Sequence, residues 1–358
     1  MLFQSEVVWF IILLNLLFFY LLGGGIVLHS VRSGILSDSF DPVRIEHIRF
    51  SLEMKTEKRL NRVFLILQSS ENGTSFHTNQ DHRWKMLVAA CAAYESLVPV
   101  LFKSTAGSLS FEEVSKQMRR DYPEDAMIPL SMSAVVTDYL MEPALLCPSV
   151  REYCSLLGLY GQIPSFPEAS KWTDMLFQSL TSHRFAHSLS VALTSKQLAG
   201  KYGIDEIKAE KAGLLHDCAK CLPLSEMQAA AKSNRLANDP LFFSSASLLH
   251  SVAGAAIAEE TYHVIDPEIL DAIAFHNTGF PGMSPLAMCV CLADFIEPDR
   301  KPFPGLDEIR SLADTSLEKA LLLSLERTAD HVRSGGKILH SRTLNTIAWL
   351  KTLRAVKS

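Results

Sequence analysis

Apolar positions divide the chain into three stretches with different periods. Residues 7–28 form an almost unbroken apolar run without a charge, interrupted only by Asn15, Tyr20 and three glycines. From there to about residue 160, short apolar runs alternate with helical patterns. One run ends at Gly34, Ile35 and Leu36, a polar turn follows, and Ile45, Ile48 and Leu52 then recur at helical spacing. Compact runs over residues 63–67 and 98–102 read as buried strands, and strand, helix, strand in that order predicts a parallel sheet. A Pro/Gly-containing segment, GQIPSFP at 161–167, reads as a linker, and beyond it the pattern is helical throughout. The predicted organisation is an apolar segment over 1–30, an α/β domain over 31–162 and an all-α domain over 168–358.

In the third stretch the helix boundaries are written in cap residues. Residues 184–199 carry Phe185, Leu189, Ala192 and Leu193 on one face, and Gly203 closes the segment. Asp205 caps a helix through Ile207, Leu214 and Leu215 that runs into His216 and Asp217, with Lys220 one turn further on. A helix over 248–260 carries His250 near its start. Asp266, Pro267 and Glu268 supply a cap, a proline at the first helical position and an acid in the first turn of a helix that reaches His276 and stops at Thr278 and Gly279. Ser284 and Pro285 open the next, in which Leu286, Cys289, Val290 and Ala293 surround Asp294 before Pro298 ends it.

Composition narrows the class. The 358 residues suffice for two ordinary domains, and 48% hydrophobic with 20% charged residues describes globular protein with a greasier segment added. A net charge of -5 and the lack of any Lys/Arg run provide no field for a nucleic-acid backbone, so no nucleic-acid partner is expected. Seven cysteines, odd in number and unevenly spaced, suit reduced thiols and a cytoplasmic location. Cys218 and Cys221 have no second pair at zinc-ribbon spacing, and no thiol role is assigned to them. No Lys or Arg precedes residues 7–28, whereas Arg32, Arg44 and Arg49 follow, which predicts a signal-anchor with the bulk of the chain in the cytoplasm. Gly23 to Gly25 shorten its strongest part, so the other reading is an over-extended start.

The chemistry concentrates in six side chains: His187, His216, Asp217, His250, His276 and Asp294. A single histidine on a helix is more often a satisfied core or surface residue than a ligand. An ionised carboxylate in the run MCVCLADFI is another matter, because burying one unpaired charge costs on the order of several kcal/mol. Arg300 or Lys220 could pair Asp294 simply as a salt bridge. Imidazoles and carboxylates from five successive helices instead predict a mixed N/O metal site, with Asp217 placed to bridge.

Two resemblances sharpen this. The turn SDSFDPVRIEH, Ser37 through His47, resembles the nicotinate-nucleotide adenylyltransferase signature GGTFDPVHxGH, whose glycines let backbone NH groups approach phosphate. Phe40, Asp41, Pro42, Val43 and His47 match, but Ser37 and Asp38 replace the glycine pair, Arg44 the first histidine and Glu46 the last glycine. The family's ISSTxxR motif is similar to Leu130, Ser131, Met132, Ser133, Ala134, Val135 and Val136, with valine where the phosphate-binding arginine belongs. The segment from Arg32 to Tyr160 is also too short for the family's central section, although Val150, Arg151, Glu152, Tyr153, Leu159 and Tyr160 resemble its end. This resemblance implies a degenerate, truncated Rossmann-like nucleotidyltransferase domain that kept packing residues and lost catalysis.

The words RFAH (Arg184 to His187), AGLLHDCAK (Ala212 to Lys220), AFHNTG (Ala274 to Gly279) and LADFIEPDR (Leu292 to Arg300) resemble, in order, the YqeK-type HD-domain phosphohydrolases, which are symmetrical bis(5'-nucleosyl)-tetraphosphatases. That family implies an all-α HD bundle and a dinucleoside polyphosphate substrate, diadenosine tetraphosphate, split into two ADP by attack of a metal-bound hydroxide. It implies His187, His216, Asp217 and Asp294 as inner ligands, with His250 and His276 holding a second metal or the substrate phosphates. Iron is the implied metal, as one or two ions, with manganese an alternative. Lys220, Arg300 and Arg184 would neutralise phosphate oxygens, with Lys220 joining His216 and Asp217 in catalysis, and Asn277 would donate a hydrogen bond to substrate. Alternatives are a divergent adenylyltransferase, an HD hydrolase of another nucleotide, and a non-catalytic membrane-tethered nucleotide sensor. Amphipathic segments at 317–327 and 344–353 offer core or a homodimer surface.

Overall fold

The computed structural model describes residues 31–67, 78–102, 110–132, 145–232, 241–336 and 339–356. The candidate anchor lies outside these residues, and so does most of the LSMSAVV motif, from Ser133 onward. Among the described residues no helix is long and apolar enough to cross a membrane.

The first half is a parallel sheet with helices packed on it. In chain order it runs β1 (Val31–Asp38), α1 (Ile45–Glu57), β2 (Arg62–Leu67), α2 (Gln80–Cys91), β3 (Leu97–Leu101), α3 (Phe111–Asp121), β4 (Asp125–Leu130) and α4 (Pro148–Leu157). The strand order is β3-β2-β1-β4, all parallel. Gly34 at the centre of β1 pairs with Val63 on one side and Ile128 on the other. The predicted strands are present, the third shifted by one residue. β4 escaped the apolar pattern because DAMIPL mixes buried and exposed positions and carries a proline. It is placed by pairing with β1 and by the hydrogen bond from Ser33 Oγ to Asp125 Oδ2.

The second half is helical: α5 (Ala169–Ser179), α6 (Ser182–Tyr202), α7 (Glu206–Leu215), α8 (Leu224–Ala231), α9 (Ala246–Glu260), α10 (Pro267–Phe275), α11 (Pro285–Ile296), α12 (Leu306–Ala313), α13 (Leu317–Ser334) and α14 (Ser341–Val356). The caps act as their chemistry requires. Thr181, Asp205, Asp266 and Ser284 each accept a hydrogen bond from a backbone NH in the first turn of α6, α7, α10 and α11. Gly203 ends α6 with a left-handed φ of 68. α8 is short and leaves no apolar face legible in the sequence, since only Met227 and Ala231 of it are buried.

α6 is the hub, packed against α7 and α11 within the helical half and against α2 and α4 of the sheet half. One apolar cluster therefore runs unbroken through both halves, from Leu36 and Val63 through Tyr153 to Phe185 and Leu292. Tyr153 of α4 meets Phe185 of α6 edge to face, with ring centroids 6.4 Å apart. The expected linker is consequently a packed strap: Phe166 is 4% exposed, and the backbone NH of Ser165 donates to the carbonyl of Leu156 at 3.1 Å.

Candidate metal centre

Gly213 allows α6 and α7 to approach closely, since a Cβ there would lie 2.7 Å from Ser195 Oγ and 3.0 Å from Ala192 Cα. That approach brings the rings of His187 and His216 to 5.2 Å between centroids. His216 and His276 stand at the C-caps of α7 and α10, where the last turns leave carbonyls without helical partners. The His216 Nδ1 lies 2.7 Å from the Gly213 carbonyl and the His276 Nδ1 2.8 Å from that of Ile273. Both rings donate from Nδ1, so the free lone pair sits on Nε2 and faces the interior.

Asp217 is the centre of the arrangement. Its Oδ1 lies 3.2 Å from His250 Nε2, 3.7 Å from His276 Nε2 and 3.6 Å from Lys220 Nζ. Its Oδ2 accepts from Arg184 Nη1 at 2.8 Å and lies 3.7 Å from His216 Nε2. Asp294 Oδ1 stands 3.0 Å from His187 Nε2, 4.0 Å from His216 Nε2 and 3.5 Å from Arg300 Nη1. Arg300 is thus a partner of Asp294, as the salt-bridge reading allowed, but two imidazoles share that carboxylate with it. His250 and His276 face each other with Nε2 atoms 3.1 Å apart, and Lys220 Nζ is 3.0 Å from His250 Nε2.

Two sets of donor atoms lie close enough to hold an ion: His187, His216 and Asp294, and His216, Asp217 and His276, each within 4.8 Å. His216 belongs to both. The Nε2 atoms of His187 and His216 and the Oδ1 of Asp217 are buried with no well-aligned hydrogen bond, their near neighbours being other charged and imidazole groups of the centre. Unsatisfied buried polar atoms are rare and each costs on the order of 1–3 kcal/mol, so such atoms within two donor sets that share His216 fit a cation with mixed nitrogen and oxygen ligands.

The electrostatics agree. Burial alone would raise the Asp217 carboxyl, yet His216, His250 and Lys220 hold it well below the usual carboxylate range. For Asp294 burial is outweighed by His187, Arg300 and His216, with the same result. Burial, reinforced by His216 and His250, pushes His276 down to about 3, so it is a neutral imidazole. Burial also lowers Lys220, opposed by Asp217.

Glu297 was not singled out from the sequence. It is the C-cap residue of α11, three positions after Asp294, and its Oε1 lies 3.2 Å from His187 Nδ1. Asn277 is partly exposed. Its Nδ2 donates to the carbonyl of Ser247 at 2.6 Å, which engages the amide in joining α9 to α10. Cys218 is buried and Cys221 exposed, both as free thiols.

A model of the HD domain matches residues 184–299, the span from Arg184 to Asp299 that supplies all six candidate ligands. A symmetrical bis(5'-nucleosyl)-tetraphosphatase of Bacillus subtilis is 39% identical over 174 residues, covering 48% of this chain and 92% of that protein. The chain belongs to that HD-domain family. A Mycoplasma genitalium protein named a probable nicotinate-nucleotide adenylyltransferase/Ap4A hydrolase is 36% identical over 156 residues, 42% of this chain and 43% of that one. The crystal structure of a predicted HD superfamily hydrolase involved in NAD metabolism from Clostridium acetobutylicum superposes with a TM-score of 0.49 at 39% identity, over 51% of this chain and 96% of that chain. As in other HD proteins, metal dependence accompanies the histidine and aspartate groups.

Proposed function

We propose that this HD protein hydrolyses diadenosine tetraphosphate symmetrically to two ADP. The observation that carries the reading is the pair of buried donor sets that share His216, one with His187 and Asp294 and the other with Asp217 and His276, beside a rim of Arg184, Lys220 and Arg300. The relatives named as symmetrical tetraphosphatases support the substrate class.

In this reading His187, His216, Asp217 and Asp294 hold iron, with manganese as substitute, and His276 and His250 either complete a second site or contact phosphate. A bound ion would supply Lewis acidity and an activated water. The chain's own residues do the rest. Arg184 and Arg300, each about one-third exposed, reach from solvent to the carboxylates of the centre, so their guanidinium groups are placed to take up phosphate oxygens as those gain charge. Lys220 faces the same point from the Asp217 and His250 side. Attack of water on an inner phosphorus breaks one bridging P–O bond, and the leaving ADP carries away the electron pair.

Purified protein supplied with iron or manganese is expected to convert diadenosine tetraphosphate to ADP alone, and His216→Ala to lower turnover by at least about 100-fold, beyond the loss seen for partners of ligands. Release of AMP with ATP would contradict symmetric cleavage. Turnover of another nucleotide in preference would move the substrate within the HD class, and metal binding without turnover would favour the sensor.

The adenylyltransferase reading is weaker in the parts that would work. Asp38 places a carboxylate 3.8 Å from His47 Nε2, in the loop where the transferase signature has glycine beside phosphate. Incubation with ATP and nicotinate mononucleotide is expected to yield no dinucleotide. Residues 7–28 are proposed as an anchor on composition alone; partitioning with membranes that persists after removal of residues 1–30 would refute it. A homodimer is likewise proposed only from the amphipathic C-terminal helices, and sedimentation tests it.

A further inference from the structure

A cavity of about 600 Å³ opens between the two halves of the molecule. Its helical wall is charged and includes Arg184, His187, Glu297, Arg300 and Lys301, so it is continuous with the metal centre. The opposite wall belongs to the α/β half: Ile45, Ile48 and Leu52 of α1, and Ala93 and Tyr94 just beyond α2. That wall is mostly apolar, with Arg49, Cys147 and Ser149 as its polar members, and Tyr94, 38% exposed, offers a ring face.

A dinucleoside polyphosphate has this same division. Its centre is anionic, while its ends are flat bases with apolar faces. With the phosphates on the cationic rim, a nucleoside end must leave the centre through adjoining space, and a pocket of several hundred Å³ suits a ligand of that size. An inorganic polyphosphate would leave the apolar wall without a partner. We infer that this cavity is the subsite for one nucleoside of the substrate, with the α/β half supplying the surface on which the base packs and Tyr94 its aromatic contact. The inference rests on the hydrolase reading above for the identity of the substrate. It gives the degenerate half a present role, shaping the hydrolase's specificity. Burial and Cys147, with Asp299 of the helical half adding, raise the Tyr94 phenol, as expected for a ring standing across the cavity from that carboxylate.

The test uses the full chain with Ala93→Trp, which fills the mouth, and Tyr94→Ala, which removes the ring; both positions are exposed. Ile163→Ser, 87% exposed and away from the cavity, is the control, and melting curves check folding. KM for diadenosine tetraphosphate and the dissociation constant of ADP are each expected to rise about tenfold in both variants, while pyrophosphate, which engages only the cationic rim, binds as in the wild type. If the wild type hydrolyses the substrate and both variants keep KM and ADP affinity within about twofold, the subsite is overturned and the hydrolase reading stands. Should the wild type hydrolyse nothing while ADP affinity still collapses in Ala93→Trp, the subsite stands and the hydrolase reading falls.

Discussion

The Nδ1 of His187 lies 3.2 Å from Oε1 of Glu297, a carboxylate only 3% exposed, and this turns the opposite edge of the ring toward Asp294. A histidine whose second nitrogen is held by a buried carboxylate has a fixed orientation and a more basic ligand atom. Glu297 is itself fixed, accepting from the Asp299 NH at 2.6 Å.

Glu297→Gln is therefore expected to weaken metal affinity by about 10- to 100-fold while the melting curve of the metal-free protein stays close to that of the wild type. Metal competition titration measures this; unchanged affinity would remove Glu297 from the centre.

Lys220 is expected to act on turnover rather than on metal content. Its Nζ stands 3.6 Å from Asp217 Oδ1 without belonging to either ligand set. Lys220→Ala should lower kcat by about 100-fold, the usual loss for one preorganised donor, with the metal-to-protein ratio preserved. A loss of metal in the same variant would instead make Lys220 structural.

Asn277→Ala is expected to cost about 1 kcal/mol of stability through the lost hydrogen bond to Ser247 and to leave KM nearly unchanged. A KM increase of tenfold or more would restore the substrate contact suggested by sequence.

A buried acid pair sets the pH dependence of stability where the halves meet. Glu152 of α4 is fully buried, and burial followed by Glu210 of α7 raises its carboxyl well above the ordinary 4.5. Lys196 pairs with Glu210 at 2.8 Å, and the pull of Lys196 and Arg151 on Glu152 offsets only part of the effect of burial. Because the folded pKa is raised, the associated stability is intact below about pH 4.5 and is lost as pH climbs through the raised value. Glu152→Gln should thus raise the melting temperature at pH 8, by about 2–4 °C per kcal/mol relieved, and change it little at pH 4. Equal shifts at both pH values would refute the titration.

Much of the candidate site could be read from the chain because its candidate ligands sit near helix ends. His216 and His276 follow apolar helical runs with clear caps, and Asp294 stands in a run where an unpaired charge has no local explanation. Glu297 lies within LADFIEPDR, where an acid before a proline reads as ordinary punctuation until its partner on α6 is seen.

What the amino-acid order determined by itself was local: the caps, the strand and helix periods, the six polar residues out of place in apolar surroundings, and the family they belong to. Which imidazole meets which carboxylate, the joining of both halves around α6 and the cavity between them were decided only by tertiary packing. The reason is one of range. Caps and periodicity involve neighbours within a turn or two, whereas Tyr94 and Arg184 line one cavity from opposite walls only because distant apolar faces are buried against one another.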